Sequence, residues 1–374
     1  MQYKEVAGGI CAPKGFAAAG VHCGIRANHS EKYDLALIKA DVRCAAAGVY
    51  TTNKVCGAPI KVDRAHLTDG YAQAIVVNSG NANTCAANGV ALAEECCELV
   101  GKALNIDAKD VLPSSTGVIG QPMVIDPFAR GIPAAAAKLA ADAQGSTDAA
   151  TAIMTTDTHK KEAAVTFTVD GKTVTVGGMS KGSGMIHPNM CTMLAFITTD
   201  LAISHELLQE ALSSVVDDTY NMISVDGDTS TNDTCLVLAN GMAGNTEITE
   251  KNADYQAFVE VLFEVNKTLA KMMAGDGEGA TALFEVKVIN ASSKAEAVTL
   301  AKSVVTSSLT KAAIYGHDAN WGRILCALGY AGVDFDPEKV DLYFESSNGR
   351  LKIIENGVAT GYSEEEATKI LTAD

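Results

Sequence analysis

The sequence contains 374 residues, carries a formal net charge of −16 and has a pI near 4.9. This acidity argues against binding to nucleic acid or to an anionic membrane, and no apolar run reaches the roughly 20 residues that cross a bilayer. The ten cysteines form no Cys-x-x-Cys pair and the N-terminus has no signal or transit pattern, so we expect a cytoplasmic protein with reduced thiols and no metal site.

The first part of the chain is predicted to contain short strands and one long helix. Segments dense in Val, Ile and Ala between turn formers predict strands over 21–26, 34–42, 47–52 and 72–78. Apolar residues at helical spacing predict a helix over 90–104, with Cys96 and Cys97 on its buried face. The next stretch, 113–120, is interpreted as a turn that presents backbone N–H groups, and an alanine-rich helix is predicted over 133–141.

A tight β-hairpin is predicted at Asp170-Gly171, between strands 164–169 and 173–177. The hydroxyl-rich stretch 154–158 that precedes it is interpreted as a turn, with hydrogen bonding to a ligand as the alternative. The hairpin leads into the most unusual stretch of the sequence.

Residues 177–200 combine a glycine-rich segment, one lysine (Lys181) and an apolar run that begins after Thr192. The glycines permit strained backbone and Pro188 disfavours a helix before it, so the Cys191-Thr192 peptide can be held bent. Attack of Thr192 Oγ on the Cys191 carbonyl would convert the amide to an ester. Hydrolysis of that ester would leave Thr192 with a hydroxyl nucleophile and a free α-amine as its base.

Two other interpretations of this stretch stay open on the residues alone. It can be a hairpin connection before a buried strand, since glycine-rich connections are common there. Alternatively, Cys191 can itself be a thiol nucleophile, although a free cysteine is more often a small buried hydrophobe.

Beyond Thr192, a helix capped by Ser204 is predicted, followed by strands over 222–225 and 235–239. The acidic loop 226–233 between them lacks the glutamate of a calcium loop, so it is interpreted as a structural turn or a ligand-facing loop. Apolar residues spaced by three and four predict a long amphipathic helix over 255–272.

That helix ends in a glycine-rich segment with the spacing of a dinucleotide fingerprint at Gly275, Gly277 and Ala280. The fingerprint must follow a strand and open a helix, whereas this segment follows a helix and precedes a predicted strand over 283–291, so we reject it. It leaves the carboxylate of Glu278 held between glycines.

The C-terminal part is predicted to be mixed. Ser293 and Glu296 form a capping box, strands are predicted over 340–344 and 350–355, and a last helix over 363–371. Because Ile370 and Leu371 are apolar residues at a terminus, we expect a further C-terminal segment to be missing. Strands mixed with amphipathic helices predict a layered α/β or α+β architecture.

Eight segments support a more specific interpretation: 8–16, 78–83, 115–120, 155–158, 181–186, 192–194, 275–281 and 318–323. In this order they make nearly the whole chain resemble the glutamate N-acetyltransferase, or ornithine acetyltransferase, family of arginine biosynthesis. The resemblance implies an αββα sandwich like that of N-terminal-nucleophile hydrolases, with different connectivity and a smaller C-terminal lobe. It also implies self-cleavage into an α chain, 1–191, and a β chain, 192–374, assembled as an α2β2 heterotetramer.

The same resemblance implies the reaction and its residues. Thr192 would take acetyl from N2-acetyl-L-ornithine and pass it to L-glutamate in a ping-pong cycle, with Thr116 and Gly117 as the oxyanion hole. Thr155, Lys181 and Glu278 would bind substrate together with Thr192. No cofactor is implied, and whether acetyl-CoA is a second acetyl donor is left open.

The sequence departs from the family pattern in two places. Cys191 precedes the nucleophile where alanine is commonest, and family chains continue for a few tens of residues with further substrate-binding positions. Two alternative functions are an N-terminal-nucleophile amidase or aminopeptidase, which would hydrolyse the acyl-enzyme, and an uncut, non-catalytic binding protein.

Overall fold

The structure is a computed structural model that describes residues 3–26, 32–187 and 193–373. The chain divides into two compact units, Met1–Glu278 and Gly279–Asp374, which agrees with the expected smaller C-terminal lobe. The predicted cleavage site, Cys191-Thr192, lies outside the described residues, so the division into 1–191 and 192–374 stays a prediction. Among the described residues, no helix has the length and hydropathy needed to cross a membrane.

The larger unit contains nine strands and six α-helices among its described residues. The strands are β1 (Lys4–Glu5), β2 (Phe16–Val21), β3 (Leu35–Tyr50), β4 (Tyr71–Asn81), β5 (Val111–Val118), β6 (Lys161–Val169), β7 (Lys172–Lys181), β8 (Leu194–Thr199) and β9 (Thr234–Ala239). The helices are α1 (Ala58–His66), α2 (Gly89–Leu104), α3 (Asp126–Ala137), α4 (Ala143–Ile153), α5 (His205–Asp218) and α6 (Ala253–Gly275).

Strand β3 joins two layers of sheet. The hydrogen-bonded order is β1-β6-β7-β8-β9-β3-β4-β5, with β2 also paired to β3. The first part of β3, 35–40, pairs with β2, whereas 45–50 pairs with β9. A register shift between Lys39 and Cys44, of the kind a β-bulge produces, separates the two parts and lets one long strand serve both layers.

Three hydrophobic cores show how the layers stack. On β8, Ile197 faces a core shared with α5 and α6, while its neighbour Phe196 faces a second core between the two sheet layers. On β3, Ile38 faces that second core, while Leu37 faces a third core shared with α2 and α3. Because side chains alternate along a strand, each sheet buries both of its faces. The layers are therefore helix, sheet, sheet and helix, which confirms the expected αββα class.

The smaller unit contains helices beside a short antiparallel sheet. Its elements are α7 (Lys294–Val305), α8 (Ser308–Tyr315), α9 (Trp321–Gly329), β10 (Leu342–Ser346), β11 (Gly349–Glu355), β12 (Val358–Ala359) and α10 (Glu364–Leu371). Phe344 and Ile353 from the sheet pack with Ala367 and Ile370 of α10 to form a core of its own.

Elements with strong local signals are confirmed. Helix α2 buries Cys96 and Cys97 in the third core, and the Ser204 side chain accepts the Leu207 N–H at the start of α5. The β6–β7 hairpin turns at Asp170 and Gly171, which have φ values of +49° and +71°. Both residues of a type I′ turn need positive φ, which is why Asp-Gly favours it.

Five strand predictions need correction, three of them in the first part of the chain. The separate strands 34–42 and 47–52 are one strand, β3, which runs through its register shift between Lys39 and Cys44 without a break. The strand predicted over 21–26 is instead β2, Phe16–Val21. After it, the N–H groups of residues 23–26 point at the Asp34 carboxylate, so they are not available to a β-ladder.

The turn predicted over 113–120 is also wrong for its first residues, which continue β5 as far as Val118. Pro113 is tolerated because β5 is the outermost strand of the sheet. The strands predicted over 222–225 and 283–291 are also wrong. Residues 222–225 form the end of a short 3-10 helix and a loop, and residues 283–291 are irregular. Neither segment has a neighbouring strand to pair with in the described chain. The helix predicted over 133–141 begins earlier, at Asp126, and ends at Ala137.

Candidate active site

The predicted oxyanion residues lie at the end of β5, beside the end of β4. Ser79 and Gly80 pair with Thr116 and Gly117, and the parallel register shifts at the next residue. Gly117 has φ +131°, and a Cβ at this position would lie 2.3 Å from the Gly80 carbonyl carbon. Only glycine allows this conformation and this approach of two backbones. The sequence therefore builds an irregular strand end at Thr116, which is half-buried, and Gly117, which is exposed.

Lys181 is the last residue of β7 and points toward this strand end. Its Nζ donates to Thr116 Oγ1 at 3.4 Å, and its side chain is buried. Burial lowers the pKa of Lys181, and the attraction of Asp157 and Asp233 opposes part of that effect. An ammonium in this position can bind a substrate carboxylate next to the predicted oxyanion residues.

Asp157 connects Lys181 to the predicted substrate residue Thr155. One carboxylate oxygen accepts the Gly182 N–H at 2.7 Å, and the other accepts the Thr155 N–H at 3.0 Å. Burial would raise the pKa of Asp157, but Lys181 and Lys161 outweigh it and hold the pKa below its usual value. Asp157 is therefore an anion that fixes two loops of the site.

Glu278 is exposed and lies against the loop that follows β7. A Cβ on Gly184 would lie 2.3 Å from the Glu278 carboxylate, and the Glu278 N–H donates to Ser183 O at 3.0 Å. Near it, the Ser183 hydroxyl donates to Asp276 O at 2.7 Å. Thr116, Thr155, Lys181 and Glu278 thus come from four distant parts of the sequence into one region, joined by hydrogen bonds.

Arg26 adds a further cation to this region. Its backbone N–H is one of four that point at the buried Asp34 carboxylate, and its guanidinium donates to the Met154 carbonyl. Desolvation lowers the pKa of Arg26, while Asp34 and Asp157 favour its charged form. Arg26, Lys161 and Lys181 therefore place three cations among the carboxylates of this region.

Asp233 is a buried carboxyl group at the start of β9. Burial raises the pKa of Asp233 well above its usual value, although Ser230, Lys181 and Thr51 all favour the ionised form. Its Oδ2 has no hydrogen-bond partner among the described residues. The Met193 backbone, where the described chain resumes, also favours the ionised form and so lowers the pKa of Asp233.

The predicted nucleophile Thr192 and the leaving residue Cys191 lie outside the described residues. The chain before them is held at Met185 and Ile186, whose N–H groups both donate to Asp226. The acidic loop 226–233 therefore acts at least in part as the structural turn that the sequence indicated. After them, Leu194 pairs with Lys181 in the β7–β8 ladder.

Sequence reasoning missed several polar residues of this region. Asp157 and Asp276 lie inside two of the matched segments, so the segments pointed to them without giving them a role. Lys161 opens β6 and is fully buried. No local pattern marks it, because lysine in a strand normally indicates an exposed position.

The cysteines that the structure describes make none of the hydrogen bonds that join the site residues. Among the described residues nine cysteines are free, and burial raises the pKa of Cys11 and Cys44 to about 12. Such thiols stay protonated at neutral pH and are weak nucleophiles.

Comparison with known proteins identifies the family. The ArgJ family model matches residues 17–374. The chain belongs to the ArgJ family. Two relatives are each described as "Arginine biosynthesis bifunctional protein ArgJ". The one from Caldanaerobacter subterraneus is 49% identical over 365 residues, 97% of this chain and 89% of the relative. The one from Symbiobacterium thermophilum is 50% identical over 367 residues, 98% of this chain and 90% of the relative.

Two solved structures with similar sequences are also ArgJ-family proteins. A crystal structure of ArgJ from Bacillus halodurans is 39% identical, with a TM-score of 0.48. The match covers 50% of this chain and 98% of the Bacillus halodurans chain. The ornithine acetyltransferase of Mycobacterium tuberculosis, crystallised with ornithine, is 38% identical, with a TM-score of 0.47. The match covers 50% of this chain and 99% of the Mycobacterium tuberculosis chain.

Proposed function

We propose that this ArgJ-family chain transfers acetyl from N2-acetyl-L-ornithine to L-glutamate in arginine biosynthesis. The observation that carries the proposal is that relatives about half identical over nearly the whole chain are arginine biosynthesis proteins. The hydrogen-bonded grouping of Thr116, Lys181, Thr155 and Glu278 supports it independently, because these residues are far apart in the sequence.

In the proposed first half-reaction, Thr192 Oγ attacks the acetyl carbonyl of acetylornithine while its own α-amine accepts the hydroxyl proton. The oxyanion of the tetrahedral intermediate is stabilised by the N–H and side-chain donors at Thr116 and Gly117. The C–N bond then breaks, the proton moves to the departing amine, and ornithine leaves an acetyl-threonine ester. In the second half-reaction, the glutamate amine attacks that ester and releases Thr192.

Substrate binding follows from charge. Lys181 is suited to a substrate carboxylate, and Glu278 to the ammonium of an amino acid. A free α-amine on Thr192 requires cleavage after Cys191, so the proposal includes self-processing into chains 1–191 and 192–374, assembled as α2β2. The word "bifunctional" in the names of the relatives favours a second activity, for which we propose acetyl transfer from acetyl-CoA to glutamate.

The proposal is tested by incubating the protein with acetyl-labelled N2-acetyl-L-ornithine and L-glutamate and measuring labelled acetylglutamate by mass spectrometry. Label in acetylglutamate is the expected result. Label recovered only as acetate would instead indicate an amidase, and no release of either product would indicate a binding protein. Replacing acetylornithine with acetyl-CoA in the same assay tests the second activity.

Processing is tested by the intact mass of the denatured protein and N-terminal sequencing of its fragments. Two fragments, one of which begins Thr-Met-Leu, are expected. A single chain that nevertheless transfers acetyl would refute the role of the α-amine.

A further inference from the structure

Lys161 is a buried lysine whose charge the proposed reaction does not use. Its side chain is fully buried at the start of β6. The Nζ donates to Asp157 Oδ1 and to Asp276 Oδ2, both at 2.6 Å, and to the His159 carbonyl at 3.3 Å. An ammonium group has three donors, so these acceptors satisfy it completely.

The two carboxylates that hold Lys161 extend the network to the proposed substrate residues. Asp157 receives the N–H groups of Thr155 and of Gly182, the residue after Lys181. Asp276 receives the Thr158 N–H at 3.1 Å and also the Thr158 hydroxyl.

The backbone around Asp276 leads to the last of these residues. Asp276 O receives the Ser183 hydroxyl, and Ser183 O receives the Glu278 N–H at 3.0 Å. The loops that carry Thr155, Lys181 and Glu278 are therefore tied together through the two carboxylates, and Lys161 is the cation between those carboxylates.

We propose that Lys161 is a positioning residue of the acetyl-transfer site, which sets the distance between the carboxylate-binding Lys181 and the ammonium-binding Glu278. This inference rests on the proposed function. Without the ammonium, Asp157 and Asp276 would face each other as buried like charges with nothing between them, and the loops they hold would separate. An amino-acid substrate that must contact both loops would then bind more weakly.

A purely structural role predicts a different result. If Lys161 served stability alone, its loss would reduce the fraction of folded enzyme, and with it the apparent kcat, while the remaining molecules would keep the KM of the parent. Displaced binding loops instead raise KM in every molecule, since KM does not depend on how much enzyme is active. KM is therefore the decisive measurement.

The test compares Lys161→Met with Lys160→Met in the full chain. Lys160 is the adjacent lysine, and its exposed side chain pairs with Glu162 and Thr147 rather than with Asp157 or Asp276. We expect KM for N2-acetyl-L-ornithine and for L-glutamate to rise by about tenfold or more in Lys161→Met, because misplaced binding groups are costly. Lys160→Met should keep the KM of the parent.

If Lys161→Met does not fold, the double variant Lys161→Met/Asp276→Asn removes one positive and one negative buried charge and should restore folding while KM stays raised. A parental KM in either folded variant would overturn the proposal. Absence of acetyl transfer in the parent itself would overturn the proposed function, and the role of Lys161 with it. The two failures are therefore distinguishable.

Discussion

Substitution of Gly117 by alanine tests whether the end of β5 is the oxyanion hole. The new Cβ would lie 2.3 Å from the Gly80 carbonyl carbon and 2.5 Å from the Asn81 nitrogen. Both are backbone atoms, so no side-chain rotation relieves the clash. The φ of +131° adds strain of about 1–3 kcal/mol for a residue with a side chain. The backbone must therefore shift, and the N–H of residue 117 moves with it.

The expected effect on catalysis follows from the loss of one oriented donor. Removing a single oxyanion-hole hydrogen bond costs about 2.7–4 kcal/mol of transition-state stabilisation, or about 100- to 1,000-fold in kcat. Because we propose that ground-state binding relies on Lys181 and Glu278 instead, KM should change much less than kcat. The assay is acetylglutamate formation at saturating acetylornithine.

Gly120→Ala is the matched control. Gly120 follows the same strand, also has positive φ (+78°), and has open space where a Cβ would be placed. It should cost some stability and leave kcat within about threefold of the parent. A folded Gly117→Ala protein whose kcat matches that of Gly120→Ala would refute the oxyanion assignment.

Three other predictions concern the nucleophile, the buried carboxyl groups and the substrate lysine. Thr192→Ala should give one uncut chain without transfer activity, and two fragments on a denaturing gel would contradict the nucleophile. Asp63 is fully buried and neither carboxylate oxygen has a hydrogen-bond partner among the described residues, so burial raises its pKa well above the usual value. The parent should therefore lose stability as pH rises from near 4 toward that raised pKa. In urea unfolding, the free energy of unfolding of Asp63→Ala relative to that of the parent should increase from pH 5 to pH 8. A difference that stays constant with pH would contradict this. Because burial lowers the pKa of Lys181, the side chain should lose its proton at a pH below the ordinary lysine pKa of 10.5. KM for acetylornithine should then rise between pH 7 and pH 10 in the parent but not in Lys181→Arg, and parallel profiles would contradict a charged Lys181 at the substrate.

Local patterns predicted the elements whose signals are contained within a few residues. The Asp170-Gly171 turn, the Ser204 cap and the apolar stripe of α6 each depend on neighbours in sequence, and each is confirmed. The errors are in strands that depend on distant partners. Nothing within 34–52 indicates that one strand pairs with β2 first and with β9 later, so the sequence predicts two short strands in place of one long strand.

The site shows the same division. Family resemblance names Thr116, Lys181 and Glu278 segment by segment; the structure brings them into one region, and their roles stay predictions. The ion pairs that hold them could not be predicted, since Lys161 and Asp276 are 115 residues apart. A buried lysine has no local signature, and only the fold brings its two carboxylates together.

The central position of β8 and β9 in the sheet has a consequence for a cut chain. Both strands come after residue 192, yet β8 pairs with β7 on one side and β9 pairs with β3 on the other, and β7 and β3 come before it. In a chain divided there, strands of the two fragments would alternate in one sheet, and each fragment would supply hydrogen-bonding partners to the other. The two fragments should therefore elute together from a size-exclusion column and separate only in denaturant. Cleavage would break one peptide bond and leave the sheet intact.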